Sequence, residues 1–178
     1  MSDKLLFKIV IEDNGKQVYA QTLSYETMSS IVSNYEDDAR SNDFFSLAAK
    51  HPASTVRENV ACKDKISEEI VTELINDTSI SVLRNLVRSD AFKEHASHDV
   101  VEKLVKFDHE IAQNVAGDIE SYQQVNATKL LAVLVALPDP SISYSLAGNY
   151  NAPKKVLKEL LNHSDPYVAS EARRRLDD

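Results

Sequence analysis

The feature that most constrains this sequence is the alternation of two short apolar patterns from residue 44 onwards. Pattern A reads apolar-x-x-Asn-apolar-small, as at residues 56–61, and pattern B places two apolar pairs around a two-residue spacer, as at 70–75. Each pattern gathers its apolar residues on one face of an α-helix. Each A copy begins 11 or 12 residues after the start of the preceding B copy. The sequence therefore predicts a series of short helices in which the B-to-A turn is nearly constant.

The copies divide this part of the chain into helix pairs. The A copies lie at 56–61, 82–87, 111–116 and 142–147, with a degenerate copy at 168–173, and the B copies lie at 44–49, 70–75, 100–105, 130–135 and 156–161. The two middle A-to-B connections are longer and predict inserted loops around 90–96 and 118–125. A single pair cannot cover its own apolar face, so neighbouring pairs must stack. We expect A/B pairs beginning near residues 54, 79, 109 and 140, and a capping helix at 166–176.

Two of the turns before an A helix contain Asp-Pro, at residues 139–140 and 165–166. Three features of the sequence resemble the HEAT-like α-solenoids. They are these Asp-Pro turns, the Asn-Val/Leu-Ala/Val cores of the A copies, and the Asn-Ala-Pro-x-x-Val-Leu-x-x-Leu segment at 151–160. Within that group the chain is most similar to the leucine-rich repeat variant type. The resemblance covers about residues 43–176 and implies a mainly α fold, a right-handed α-solenoid of stacked antiparallel helix pairs.

The N-terminal segment has a different pattern. Apolar residues alternate from Leu5 to Ile11, and Asn14-Gly15 is the pair typical of a type I′ turn, so residues 5–23 are predicted to form a β-hairpin. Ser24 is a candidate N-cap for a helix over about 25–35. We therefore divide the chain into an appendage, residues 1–40, and a repeat region, 41–178. A lone hairpin is marginal in water, so it must lie on the helices, recruit a strand or pair with another chain as a homodimer.

Charge and cysteine content exclude several classes of function. The formal net charge is −8, with 28 acidic and 20 basic side chains, and an acidic surface repels nucleic-acid phosphates. Cys62 is the single cysteine, which excludes an internal disulfide, and we expect it to be buried or half-buried. The chain carries no catalytic or cofactor motif and no apolar run long enough for a membrane span. We expect a cytoplasmic protein that is not an enzyme and needs no cofactor.

Three polar groups are candidate sites, each with a structural alternative. The recurring Asn59, Asn85 and Asn114 could bind an extended peptide or could satisfy backbone groups between stacked helices. The histidines at 95, 98 and 109 could suggest a metal, but their spacing is not that of a helical ligand pair and Ser97 fits an N-cap, so we expect no metal site. A basic C-terminal group could bind an acidic partner or could be a solvated cap; it comprises Lys154, Lys155, Lys158, Arg173, Arg174 and Arg175.

The predicted helix over 127–137 is apolar almost all round and therefore must be covered on every side. We expect Leu131, Leu134 and Val135 to face the core, and Ala132, Val133 and Ala136 to lie on the outer surface. Either the hairpin covers this surface or it forms a binding patch.

The leading function is a non-enzymatic protein–protein interaction module or adaptor that binds a protein partner on the surface of the B helices. The residues expected to line that surface are Thr72, Glu102, Lys103, Lys129, Val133 and Lys158. The alternative is an acidic inhibitor, of the immunity-protein type, that masks a basic enzyme face. A HEAT-like DNA-base glycosylase is the third hypothesis, which the acidic charge and the absence of tryptophan disfavour.

Overall fold

A computed structural model describes residues 6–177 and shows a mainly helical protein with an N-terminal two-stranded hairpin, as predicted. Twelve α-helices lie in these residues. The chain forms two compact units, Met1–Ala91 and Phe92–Asp178. Residues 1–5 and residue 178 lie outside the described part of the chain. They include Leu5, the first residue of the predicted hairpin, and the outermost ends of the predicted appendage and repeat region.

The first unit contains the hairpin and five complete helices. Their bounds are β1, Lys8–Asp13; β2, Lys16–Thr22; α1, Tyr25–Asn34; α2, Asn42–Ala48; α3, Ser54–Ala61; α4, Glu68–Ile75; and α5, Ile80–Leu86. The helix α6, Asp90–His95, contains the join between the units. The second unit continues with α7, His98–Phe107; α8, His109–Gly117; α9, Ala127–Ala136; α10, Pro140–Gly148; α11, Lys154–Leu160; and α12, Pro166–Asp177.

The hairpin turns at Asn14 and Gly15, whose φ angles are 47° and 76°. Both lie in the left-handed region that a type I′ turn needs, and Asn and Gly are the residues that adopt it at least cost. The strands pair antiparallel, and a bulge interrupts the register after Ile11. Every side chain of both strands is exposed. The hairpin is held at its base, where the Phe7 ring lies 5.6 Å from the ring of His51.

In the first unit α3 is the central helix and packs against α1, α2, α4 and α5. Its A-pattern residues Val56, Val60 and Ala61 are fully buried. The helix α2, which carries a B copy, packs against the next B-pattern helix, α4. Phe45 of α2 is also fully buried. Within this unit, A-pattern helices therefore contact A-pattern helices and B-pattern helices contact B-pattern helices.

The second unit has the same order around α10. This helix packs against α8 and α12, which carry A copies, and against α9 and α11, which carry B copies. Its A-pattern residues Ile142, Leu146 and Ala147 are buried. The N-terminus of α10 shows why Asp-Pro precedes it: Pro140 occupies the first turn, and the Asp139 carboxylate accepts the N–H of Ser141 at 2.9 Å.

Buried polar side chains that follow the A-pattern helices α3 and α10 connect them to the C-terminal ends of neighbouring helices. Lys63, after α3, donates to the carbonyl oxygens of Ser33 and Tyr35 at the end of α1, at 3.0 and 2.9 Å. Asn149, after α10, donates to the Ala116 carbonyl of α8 at 3.1 Å. The last carbonyls of a helix have no partner within the helix, so these bonds supply donors that the helix itself lacks. Each A-pattern helix concerned is thereby fixed to its neighbour.

The two inserted connections, predicted as loops around 90–96 and 118–125, are structured. The segment at 90–96 forms α6, because Ala91, Phe92 and Ala96 are buried on one face. In the second unit the Phe92 ring meets the buried Tyr122 ring edge-on, with centroids 6.2 Å apart. Lys93 and Asp118 form an ion pair at 2.8 Å beside these rings. The inserted segments of the second unit therefore build a small core of their own.

Cys62 is exposed, so the expectation of a buried or half-buried thiol was wrong. It lies one residue beyond Ala61, the last buried position of α3, where the helix ends and the side chain turns outward. None of the helices in residues 6–177 has the length and apolar content needed to cross a lipid bilayer.

We predict that Lys63→Met lowers the free energy of unfolding by about 1–3 kcal/mol, because it keeps the aliphatic stem but removes the ammonium that donates to two carbonyls at the end of α1. Urea unfolding measures the change, with Lys65→Met at a nearby exposed position as the control. If both variants unfold at the wild-type denaturant concentration, Lys63 does not connect the helices as described.

Candidate functional site

On the second unit an apolar cleft of about 450 Å³ lies between α9 and α11. Its α9 wall is a stripe at i, i+3, i+4 and i+7, the positions that share one face of a helix. Its α11 wall starts at the turn before that helix. The lining residues are Thr128, Leu131, Ala132 and Val135 from α9, and Pro153, Lys155, Val156 and Glu159 from α11 and the residue before it.

The faces of α9 are rotated from the prediction by about one residue. The buried residues are Leu130, Leu131 and Leu134, so Leu130 takes the core position that we assigned to Val135. Val135 is only half-buried and points into the cleft. Ala132 and Ala136 are exposed, as expected for an outer surface, and Val133 is half-buried. The rotation arises because the five large apolar residues of α9 fit a core equally well by type, and the sequence does not rank them.

The B-pattern helices of the second unit carry an excess of lysine, although the whole protein is acidic. The lysines on α7, α9 and α11 are Lys103, Lys106, Lys129, Lys154, Lys155 and Lys158, and the acidic residues on the same helices are Asp99, Glu102 and Glu159. Lys155 and Glu159 lie on the rim of the cleft, and Val135, Val156 and Ala132 form its apolar interior. The cleft therefore has an apolar floor and a rim with one lysine and one glutamate. The two helices that form it carry four lysines against that one glutamate, which gives the cleft a lysine-rich surround.

The six residues that we predicted for the partner surface lie in different places. Thr72 is exposed on α4 of the first unit. Glu102 pairs with Lys106 at 2.5 Å, and this hydrogen bond and the charge of Lys106, with smaller contributions that include Lys129, hold the pKa of Glu102 below its usual range. Lys129 is exposed on α9.

The remaining three predicted residues are accessible. Lys103 and Lys158 are exposed and Val133 is half-buried. None of the six predicted residues lines the α9–α11 cleft. The sequence signal for this cleft is the helical spacing of Thr128, Leu131, Ala132 and Val135. We missed it because these residues differ in size and polarity, and because the helix around them is apolar on almost every side.

The recurring asparagines donate to backbone carbonyls, but only Asn59 and Asn85 reach another helix, as the structural alternative expects. Asn59 reaches the Ser29 carbonyl of α1 at 3.2 Å, and Asn114 reaches the Glu110 carbonyl of its own helix at 2.9 Å. The Asn85 amide makes a longer contact, 3.5 Å, with the Glu58 carbonyl of α3. The carboxamides of Asn59 and Asn114 are therefore engaged within the protein rather than presented for a peptide backbone.

The histidines do not gather into a cluster with acidic residues. His98 begins α7 and lies 3.4 Å from Glu102, one turn along the same helix. Ser97 holds the N-cap position with extended backbone angles, although its side chain makes no capping hydrogen bond. Within residues 6–177 no three His, Cys, Asp or Glu side chains are placed so that they could hold a metal ion.

A second cleft, of about 370 Å³ in the first unit, is built around an ion pair between Arg57 and Asp77. The guanidinium donates to both carboxylate oxygens, at 2.6 and 2.9 Å, and also to the His51 carbonyl at 2.7 Å. Burial alone would raise the pKa of Asp77, but the Arg57 guanidinium and the N–H of Ser79 hold it below its ordinary value. Both charges are therefore satisfied within the protein. The ion pair connects the turn before α3 to the turn before α5, and we assign this cleft a structural role.

Comparison with protein-family models, with curated proteins and with solved structures finds no match for this chain. A function for this chain is therefore inferred from its own geometry and chemistry.

We predict that Asp77→Asn lowers the free energy of unfolding at pH 7 by about 1–3 kcal/mol, the usual value for hydrogen bonds to a charged group. Because the pKa of Asp77 is lower in the folded state, its contribution is present above the unfolded pKa of about 3.9 and is lost as the pH falls through the folded value. The difference between wild type and variant should therefore shrink in acid.

The matched control is Glu36→Gln, which removes an ion pair with Arg40 whose two side chains are 81% and 85% exposed. An exposed pair is worth little, so this variant should unfold like wild type at every pH. Chemical unfolding between pH 3 and pH 7 makes the comparison. A difference between Asp77→Asn and wild type that stays constant across this range would contradict the account.

Proposed function

We propose that this protein is a non-enzymatic protein-interaction module, built as a HEAT-like α-solenoid, that binds a segment of a protein partner in the α9–α11 cleft. Two observations support the stacked architecture: the A and B patterns alternate along the chain, and within each unit A-pattern helices pack on A-pattern helices. In such an array the B-pattern helices present one edge to solvent, and neighbouring B helices leave furrows between them.

The observation that carries the proposal is the combination of an apolar cleft with a lysine-rich surround. Val135 and Val156 are half-buried, so an incoming apolar side chain would remove more of their surface from water. Burying one Leu or Phe anchor contributes roughly 1.5–3 kcal/mol. The partner segment best suited to the cleft is a short amphipathic helix with apolar residues on one face and Asp or Glu on its flanks.

The lysines and the apolar floor have separate roles in this proposal. Lys155 at the rim, with Lys154 and Lys158 on the same helix, attracts an acidic segment and fixes its direction. Exposed charges of this kind raise the association rate and the selectivity more than the affinity, and salt screens them. The apolar floor supplies most of the affinity. Binding should therefore weaken with salt but persist.

One observation favours the acidic-inhibitor alternative. The helix α4 of the first unit is strongly acidic, with exposed Glu68, Glu69 and Glu73. A partner held there would be basic, and its binding would be lost at high salt because exposed charge pairs would supply it. For the glycosylase hypothesis no such observation exists: the eight residues that line the cleft include no aromatic side chain that could stack on an extruded base.

We predict that Ala132→Glu weakens the binding of an acidic amphipathic helical peptide by at least about tenfold, a loss of about 1.4 kcal/mol. Ala132 is exposed and lines the cleft, so the new side chain occupies the floor and repels the peptide without disturbing the core. The peptide carries Leu at i, i+3, i+4 and i+7 and Glu on its flanks. Fluorescence anisotropy of the labelled peptide measures the dissociation constant.

The matched control is Ala136→Glu, which lies one turn further along α9, is also exposed and does not line the cleft. It should bind the peptide like wild type. A second control peptide has Lys in place of each flanking Glu and should bind more weakly than the acidic one. The proposal fails if Ala132→Glu and Ala136→Glu bind alike, or if the lysine peptide binds as tightly as the acidic peptide.

A further inference from the structure

The N-terminal hairpin is exposed on both of its faces. Ile9, Ile11 and Tyr19 lie on the face that continues from Phe7, and they are 46%, 53% and 46% exposed. Val10 and Val18 lie on the strands with 47% and 59% of their surface exposed. In residues 6–177 the sheet contains these two strands and no third one. An isolated two-stranded sheet with this much exposed apolar surface is marginal in water, so a further strand would stabilise it.

The free edge of β1 is regular, and the free edge of β2 is not. The N–H of Leu23 donates to the Phe7 carbonyl at 2.9 Å, so the backbone groups of Phe7 face β2. Because the direction alternates along an antiparallel strand, those of Ile9 and Ile11 also face β2, and those of Lys8, Val10 and Glu12 face outward. On β2 the extra residue of the bulge is Val18, and it interrupts the outer edge.

The sequence of β1 is complementary to itself in charge when read in the opposite direction. Residues 8–12 read Lys-Ile-Val-Ile-Glu. If two copies of β1 pair antiparallel with Val10 opposite Val10, then Lys8 of each copy lies opposite Glu12 of the other. In this pairing Lys8, Val10 and Glu12 of one copy lie opposite Glu12, Val10 and Lys8 of the other. The backbone groups of these residues face outward, so they can hydrogen-bond across the edge.

We propose that two copies of this chain pair through β1, antiparallel and centred on Val10, to form a four-stranded sheet. Ile9 of one copy lies opposite Ile11 of the other on one face, and the two Val10 side chains adjoin on the opposite face. Cross-strand apolar and opposite-charge pairs of this kind stabilise a sheet. The occupant is a second copy because the edge itself supplies both halves of each charge pair.

This proposal is independent of partner binding in the α9–α11 cleft. The dimer uses residues 8–12 of the first unit, and the cleft lies on the second unit. Ala132→Glu should therefore leave the molar mass unchanged, and a failure of peptide binding would leave the dimer proposal standing.

Sedimentation equilibrium of the full chain, from micromolar to millimolar protein, tests the pairing. Wild type should be a concentration-dependent dimer. Val10→Pro should be monomeric, because it removes an outward donor and leaves the ladder with β2 intact, a place where an edge strand tolerates proline. The control is Ala20→Pro, which pairs with Val10 in the register and removes an outward donor from the β2 edge instead. It should remain a dimer.

A charge exchange tests the register. K8E or E12K alone should raise the dimer dissociation constant by about tenfold or more. Either substitution puts side chains of the same charge at both places where residue 8 of one copy lies opposite residue 12 of the other. The double variant K8E/E12K restores opposite charges and should return the wild-type dissociation constant. A wild type that is monomeric at every concentration overturns the proposal. So does a dimer that Val10→Pro leaves intact, or one that the double variant fails to restore.

Oxidative cross-linking gives a second measurement in a Cys62→Ser background, where no native thiol remains. Val10→Cys should form a disulfide between copies, because directly opposite residues bring their Cα atoms to about 5.5 Å, which a disulfide spans. Lys8→Cys should not, because the two copies of residue 8 would lie four residues apart, roughly 13 Å at about 3.4 Å per residue. Equal cross-linking by both variants would contradict the register centred on Val10.

Discussion

Each unit of this protein depends on one helix that has packing partners on all of its apolar sides. In the first unit that helix is α3, and in the second it is α10, and each contacts four other helices. The contact is completed at the C-terminal ends, where Lys63 donates to the last carbonyls of α1 and Asn149 donates to a carbonyl near the end of α8. Lys63 and Asn149 are only 8% and 4% exposed, so their hydrogen bonds are made away from water, where an unpaired partner would be costly.

This arrangement leaves other surfaces free for interaction. The helices α9 and α11 fill the core with Leu130, Leu134, Leu157 and Leu160, so they can keep half-buried valines and an apolar cleft on another face. The hairpin is a comparable case in the first unit: Phe7 holds its base against Phe44 and His51, while the rest of both strands extends into solvent. Both proposed binding sites are therefore places where the local structure has apolar surface that the intramolecular core does not use.

The sequence was informative where a short-range rule decides the structure. The turn at Asn14-Gly15, the N-cap at Ser24 and the Asp139-Pro140 helix start each follow from one or two residues, and the structure has them as predicted. It was less informative where several residues of one type compete. In α9 the choice among Leu130, Leu131 and Val135 for the core depends on neighbouring helices, and the cleft residues could not be selected without that choice. The helix α6 was missed because its buried Phe92 lies among polar residues and contacts Tyr122, far along the chain.

Amide hydrogen exchange of the full chain tests the central claim, that one A-pattern helix in each unit carries its stability. The account predicts that the slowest-exchanging amides of the first unit lie in α3 and those of the second unit in α10. Amides of α4 and α11, at the B-pattern surface, should exchange through smaller local openings and therefore faster. If α4 and α11 are protected as strongly as α3 and α10, or more strongly, the A-pattern helices are not the centre of the structure and the account is wrong.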